Sequence, residues 1–344
     1  HISSWLLLHL TGRAVPPEDV GDIDGKRLPD EQLLVYEGKP PADDRSLTVQ
    51  DWFVPLGRPE MPVNPQMLED QRKSLVEHLR RDSFSTFAAA EQPVSAAVRQ
   101  RTWSKNENSW WYRFDYESDA YWRLYGEVHG AAPELPDAGP EVPVTLRPLA
   151  VNLRMSGDER GKLAFELLQS ASSRWLKARL DPRGTGDTAW DAEWDWHIRR
   201  AAALLGRTVA GMRVWDALRG LQALRQFPGV DPQRLVLAGS GEMAVVALYA
   251  ALLDGRIAAV ILDNPPDTLN APDALQGRPC FKEMINALRH ADLPQTAACL
   301  WPTKLVLVGD KSERYQWTRD VYERMGGAVQ AVEKARDINF DALV

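Results

Sequence analysis

The sequence predicts an α/β protein built on a doubly wound, mainly parallel sheet with helices on both faces. Three observations predict it. From Val144 onward, strand-like runs alternate with helix-like runs, the pattern left by crossovers between parallel strands. The strands are near-continuous apolar runs such as "LVLAG" and "AAVILD", as required of strands covered on both faces. Lastly, "RLVLAGSGEMAVVALYAALLDGRIAAVILDNPP" (Arg234 to Pro266) reads strand, glycine-rich turn, apolar helix, strand.

The chain has 344 residues and a net charge of −7, which suits a soluble protein and offers nucleic acid no basic patch. No apolar run reaches the length of a membrane span. The N-terminal run "WLLLHL" (Trp5 to Leu10) is too short for a signal peptide and lacks a basic flank. The sequence begins at His1 rather than a methionine, so the true N-terminus and the compartment stay open. Cys280 and Cys299 lie in no CxxC and no Cys/His cluster. No metal and no cofactor are therefore expected, and the two either pair or stand as buried thiols.

Residues 1–60 are rich in Pro, Asp and Gly and poorly periodic, with strand-like pieces in "EQLLVYEG" and "TVQDWFVPL". They read as a linker or strap, and residues 61–344 as the folded domain. Within it, Asn64 to Phe84 forms a helix, with Asn64 as N-cap and Pro65 in the first turn. Leading strands fill 100–150. Among them the aromatic run "SWWYRFDYESDAYWRLYGEVHG" reads as a strand pair, its rings a sheet face on the core or, alternatively, a sugar-stacking platform. The core covers 144–335: strand "VTLRPLAVNLRM", helix "GKLAFELLQSA", strand "WLKARLD", one or two helices to Phe227, strand "RLVLAGS", helix "EMAVVALYAALLD", strands "IAAVILD" and "TKLVLVGD", helix "TRDVYERMG" and a weak last strand "AVQAVEK".

The glycine turn admits two chemistries. Gly239, Gly241 and Ala244 fit G-x-G-x-x-G/A, with Asp263 at the end of the next strand where a ribose-binding acid would sit in an NAD(P)-dependent oxidoreductase. Against this, Glu242 would face the phosphates, and the element follows at least two sheet strands instead of opening its domain.

The other chemistry is nucleophilic. "DPRGTGDT" (Asp181 to Thr188) follows a strand and precedes the helices that lead to the glycine turn. That order resembles the α/β-hydrolases, where D-x-R-G-x-G-x-S follows one strand and the nucleophile elbow follows the next. "LLGRTVAGMRVWDALRGLQAL", "VDPQRLVLAGSGEMAVVALYAALLD" and "RHADLPQTAACLWPTKLVLVG" extend the resemblance to acetyl xylan esterases and dienelactone hydrolases, over about Val144 to Gly327. The resemblance implies carboxylic-ester hydrolysis, bacterial origin, polysaccharide as substrate and a secreted or periplasmic location. The N-terminal part looks like the tail of a preceding domain, which implies a two-domain protein and an upstream hydrolase domain as partner.

The triad positions depart from the family pattern. In G-x-nucleophile-x-G the nucleophile sits on a strained turn with small neighbours. Aligning strand and helix places Gly241 there, without a side chain. Ser240 is the fallback, flanked by Ala238 and by a crowded Glu242; its other role is a helix N-cap. The acid position, three residues after Gly309, reads Ser312, with Asp310 and Asp263 as substitutes. No histidine follows His290, and His290 precedes "TKLVLVG", so "AVQAVEKARDINFDALV" supplies no base. His290 reads as a structural histidine at a helix end. A serine is a weak nucleophile until a base takes its proton. The expectation is therefore a domain that keeps the fold and has lost the triad, bracing an active domain or holding a glycan. Arg183 and Glu242 are the candidates for ligand contact; Arg183 alternatively ties loops together by pairing with Asp187 or Asp191.

Overall fold

The computed structural model describes residues 2–21, 25, 27–34, 36, 39, 41–46, 49, 55–87, 92–104, 109–131, 145–158, 165–270, 281, 283–309 and 313–344. The chain divides into two compact units, His1–Val54 and Pro55–Val344. The first holds helix α1 (Ile2–Thr11) and the single turn α2 (Asp30–Leu33). The strand expected in "EQLLVYEG" is thus helical over its described start. Pro29 ahead of it fixes a helix-compatible entry, and the acids Asp30 and Glu31 fill the first turn. Most of "TVQDWFVPL" lies outside the described residues.

In the second unit, α3 (Pro65–His78) starts where the sequence indicates: the Asn64 side chain accepts the Met67 N–H. It ends in a π-helical turn, Leu79–Ser83, so the expected helix to Phe84 is two geometries in series. Among the described residues nine strands follow: β1 (Ala96–Ser104), β2 (Ser109–Asp119), β3 (Trp122–Ala131), β4 (Arg147–Leu153), β5 (Leu176–Asp181), β6 (Val230–Ser240), β7 (Ala259–Asp263), β8 (Lys304–Val308) and β9 (Gln330–Val332). They form one sheet in the order β1-β2-β3-β5-β4-β6-β7-β8-β9. β1, β2, β3 and β5 pair antiparallel, and β5 through β9 pair parallel. β1 was not separately visible in the sequence; its arginines and glutamine leave it exposed at the sheet edge.

The expected helical stretch to Phe227 is two helices, α4 (Ala192–Leu204) and α5 (Val209–Leu224), separated at Gly206. Among the described residues, α6 (Glu242–Asp254), α7 (Leu293–Ala298) and α8 (Gln316–Arg324) follow. α6 buries eleven residues, from Met243 to Leu253. A helix apolar all round is a core helix, and it ends at Gly255 in the left-handed conformation that glycine favours. Leu235, Leu237, Val260, Leu262, Leu305 and Leu307 turn to the core shared with α5, α6 and α7. The alternate residues Val236, Ala238, Ile261 and Val306 turn to the other face, closed by Trp175, Ile338, Phe340 and Leu343. "GKLAFELLQSA" is described from Phe165, and there it is mostly turn rather than helix; its Leu167 and Leu168 still cap this second face.

Candidate active site

The chain passes from β4 to β5 on one side, then crosses to β6 on the other side of β4. Such a reversal opens a crevice beyond the carboxyl ends of the strands, the usual ligand position in this class of sheet. Four segments reach that edge: the loop after β4 (Arg154 to Asp158), the loop after β5 (Pro182 to Trp190), the β6–α6 turn at Gly241, and Asp263 with Asn264 after β7. The β2–β3 hairpin tip joins them, because Tyr125 lies opposite Asp181 and the chain before Tyr125 runs on past the end of β5.

Gly241 has φ 54° and ψ −120°, outside the regions open to residues with a Cβ. Its N–H donates to the Asp263 carbonyl at 2.8 Å. An added side chain would meet little, the nearest atom being Met155 Cε at 3.7 Å. Gly239 is the opposite case: a Cβ there would stand 2.2 Å from the Met243 carbonyl oxygen, so strand and helix touch through this glycine. Gly241 is the N-cap of α6. Ser240 is the last residue of β6 and does not cap the helix, a correction to its expected role: the turn is so tight that the helix begins one residue later. Among the described residues, no histidine is hydrogen-bonded to Ser240.

Glu242 in the first turn of α6 accepts from Arg213 Nη1 at 3.2 Å and from Ser156 Oγ at 2.9 Å. Arg213 also donates to Ser156 Oγ and to the Arg183 carbonyl, at 3.0 Å each. The loop after β4, the loop after β5 and the elbow thus meet on one guanidinium from α5. Asp263 accepts from Asn264 Nδ2 at 2.8 Å. A dinucleotide phosphate at this helix N-terminus would meet the Glu242 carboxylate, which Arg213 fixes in place.

Arg183 is buried, but its partners differ from those expected. Its Nε and Nη2 donate to Asp216 at 2.8 and 2.6 Å, and its Nη2 to Asp119 at 3.1 Å. Asp187 pairs with Arg113 instead, and Asp191 caps α4. Asp216, on the helix that passes under the loop, was invisible to sequence spacing because it lies 33 positions away. Burial would lower the Arg183 pKa, but the charge and hydrogen bonds of Asp216 and then Asp119 raise it. With both carboxylates committed, Arg183 holds structure. A second buried network was missed altogether: Arg154 and Arg179 clamp Asp181, at 2.9 and 2.8 Å.

His290 lies elsewhere. It stacks on His78 of α3, with centroids 4.3 Å apart, and its Nε2 is 3.3 Å from Asp82 Oδ2. Cys299 is a free buried thiol, its pKa pushed up to about 12 by burial. Cys280, Asp310 and Ser312 lie outside the described residues. Among the described residues, no cluster of metal-ligating side chains occurs.

Solved structures similar to this chain include carbohydrate esterases. A Bacteroides fragilis protein assigned as an acetyl xylan esterase superimposes with a TM-score of 0.62 at 13% identity, over 81% of this chain and 78% of that one. A glucuronoyl esterase from Solibacter usitatus gives 0.56 at 12% identity, over 85% and 97%. Acetyl xylan esterase 1 from a Thermoanaerobacterium species gives 0.52 at 13% identity, over 80% and 93%. No family model and no curated protein matches the sequence. The chain has the α/β-hydrolase fold. In α/β-hydrolases the nucleophile occupies the strained strand-to-helix turn and the amide of the next residue contributes to the oxyanion hole. In this chain the strand-to-helix turn holds Gly241, with Glu242 next to it and the buried Met243 two residues beyond.

Proposed function

We propose that this chain is a carbohydrate-esterase-type α/β-hydrolase domain that has lost its Ser-His-Asp triad and holds a glycan beside an active hydrolase domain. The observation that carries the reading is Gly241: the residue with the elbow's strained backbone has no side chain to attack with. Exposed rings support the glycan role. Trp122 and Tyr121 at the hairpin tip are 41% and 101% exposed, and Trp194 and Trp196 at the start of α4 are 61% and 54% exposed. All four belong to segments that follow or overhang the carboxyl end of β5. The flat C–H faces of pyranose rings pack on such aromatic surfaces, while sugar hydroxyls stay in water. Half of the eight Trp, Tyr and Phe rings of the same run serve the core instead: Trp110, Tyr112, Phe114 and Tyr116 are buried.

The test has two arms. Affinity electrophoresis in gels containing acetylated xylan should retard the wild-type chain, and Trp194→Ala with Trp196→Ala should remove the retardation. Hydrolysis of an aryl acetate should stay at background. Unretarded wild type would end the glycan role, and turnover that depends on Ser240 would end the claim of a lost triad.

A further inference from the structure

We propose a second binding site, for a neutral saccharide, in the cleft between α3, α7 and α8. None of the segments at the carboxyl edge of the sheet lines this cleft. The site therefore goes beyond the glycan reading and does not depend on it. The cleft has a volume of about 700 Å³, within the range of small-molecule sites, roughly 300–1,000 Å³.

Among the described residues, its inner wall carries no acid, lysine or arginine. Met67, Gln71, Leu75, Gln295, Cys299 and Trp317 line it, each buried or half-buried. Burial keeps Cys299 a thiol, its pKa pushed up to about 12. Burial, and then the neighbouring His78, hold the lining His290 below the ordinary 6.5. The charged residues of the lining, Arg58, Asp70 and Arg289, are exposed to solvent. A charged ligand inside would give up its water without meeting a buried counter-charge.

Three amides line the α3 side, each anchored through one end. Asn64 Oδ1 accepts the Met67 N–H at 2.8 Å. Gln66 Nε2 donates to Asp70 Oδ1 at 2.9 Å, and Gln71 Nε2 to the Glu60 carbonyl at 2.9 Å. Among the described residues, the other ends have no partner: the Asn64 amino group and the Gln66 and Gln71 carbonyl oxygens, none of them buried. A donor and two acceptors, fixed by their own anchors, are thus left to exchange water for hydroxyl groups. On the opposite side Trp317 packs against the core cluster, and among the described residues no other ring and no guanidinium stacks on it. The C–H face of a pyranose ring packs on such an indole, and the ring's hydroxyls reach the amides. A wholly apolar ligand would cover the amides without replacing their water.

Saturation-transfer NMR titrations of the full chain with the methyl β-glycosides of xylose, glucose and galactose test the site, with adenosine as a flat, neutral, non-saccharide control. The expected result is saturable binding of at least one glycoside and weaker binding of adenosine. Trp317→Leu should weaken that glycoside about tenfold, the worth of a ring contact. Gln71→Met, which keeps the side-chain length on a helix surface, should weaken it about fivefold with the thermal midpoint unchanged. The double variant Trp194→Ala with Trp196→Ala should leave it unchanged, which separates this site from the one at the carboxyl edge. No saturable glycoside binding, tighter binding of adenosine, binding indifferent to both cleft variants, or binding lost in the Trp194/Trp196 variant would overturn the proposal.

Discussion

Arg213 Nη1 stands 3.2 Å from Glu242 Oε1, tying the residue after the elbow glycine to the helix beneath it. The Arg213 side chain is 6% exposed and serves three segments at once. Arg213→Leu should therefore destabilise the protein by roughly 3 kcal/mol, the cost of stranding a largely buried partner charge. Glu242→Gln keeps the shape and an acceptor, and should cost about 1 kcal/mol. Urea denaturation measures both; equal effects would mean that the guanidinium does not organise the elbow.

Asp216 is the more deeply committed acid. Its side chain is fully buried and accepts from the Arg183 backbone and guanidinium and from Ser118. Asp216→Ala should cost about 3–5 kcal/mol. Asp187→Ala, at a half-exposed surface position, should cost less than about 1 kcal/mol. The reverse order of the two denaturation midpoints would restore the pairing expected from sequence spacing.

The two elbow glycines should respond differently to alanine. Gly239→Ala places a Cβ 2.2 Å from the Met243 carbonyl, and rigid backbone on both sides makes a loss of at least about 3 kcal/mol the expected outcome. Gly241→Ala has room, with 3.7 Å to Met155, and should lose only the backbone strain, about 1–3 kcal/mol. Thermal denaturation of the two variants distinguishes a packing glycine from a conformational one.

His290 should make stability fall with acid. Burial, and then the neighbouring His78, hold its pKa below the ordinary 6.5 despite the pull of Asp82. The unfolded chain binds a proton that the folded chain resists. Stability present above about pH 6.5 is therefore lost as pH falls below it, until the folded pKa is passed. Asp82, held at about 2 chiefly by its hydrogen bond to Arg81, stays charged throughout that window. Between about pH 7.5 and 5.5, the thermal midpoint of His290→Gln should fall less than that of the wild type. Parallel slopes would remove His290 from the account.

The parallel core was legible because apolar runs and glycine turns are local signals. "EMAVVALYAALLD" marks α6 from end to end, and Asn64 marks the start of α3 by its own side chain. β1 was not separately legible, since an exposed edge strand need not carry an apolar pattern. Strand and helix spacing located the glycine turn, and in the structure Gly241 in that turn has a strained backbone with φ 54°. The ion network beneath it could not be located that way. Arg183 meets Asp216, and Arg154 meets Asp181, across separations set by packing, and sequence offers many nearer carboxylates. For the same reason, exposed rings such as Trp122 could not be told from buried ones such as Trp110 by composition alone.

The most direct test of the proposed loss of triad chemistry is 4-nitrophenyl acetate turnover by wild type, Ser240→Ala and Gly241→Ser. Losing the serine or the histidine alone costs about as much as losing the whole triad, roughly a million-fold in subtilisin, so one restored hydroxyl recovers little. Wild type and Ser240→Ala should sit at background, and Gly241→Ser should gain at most the oxyanion-hole contribution, on the order of a thousand-fold over water. Brisk wild-type turnover abolished by Ser240→Ala would contradict the account, shifting the nucleophile one residue and making the chain a working esterase.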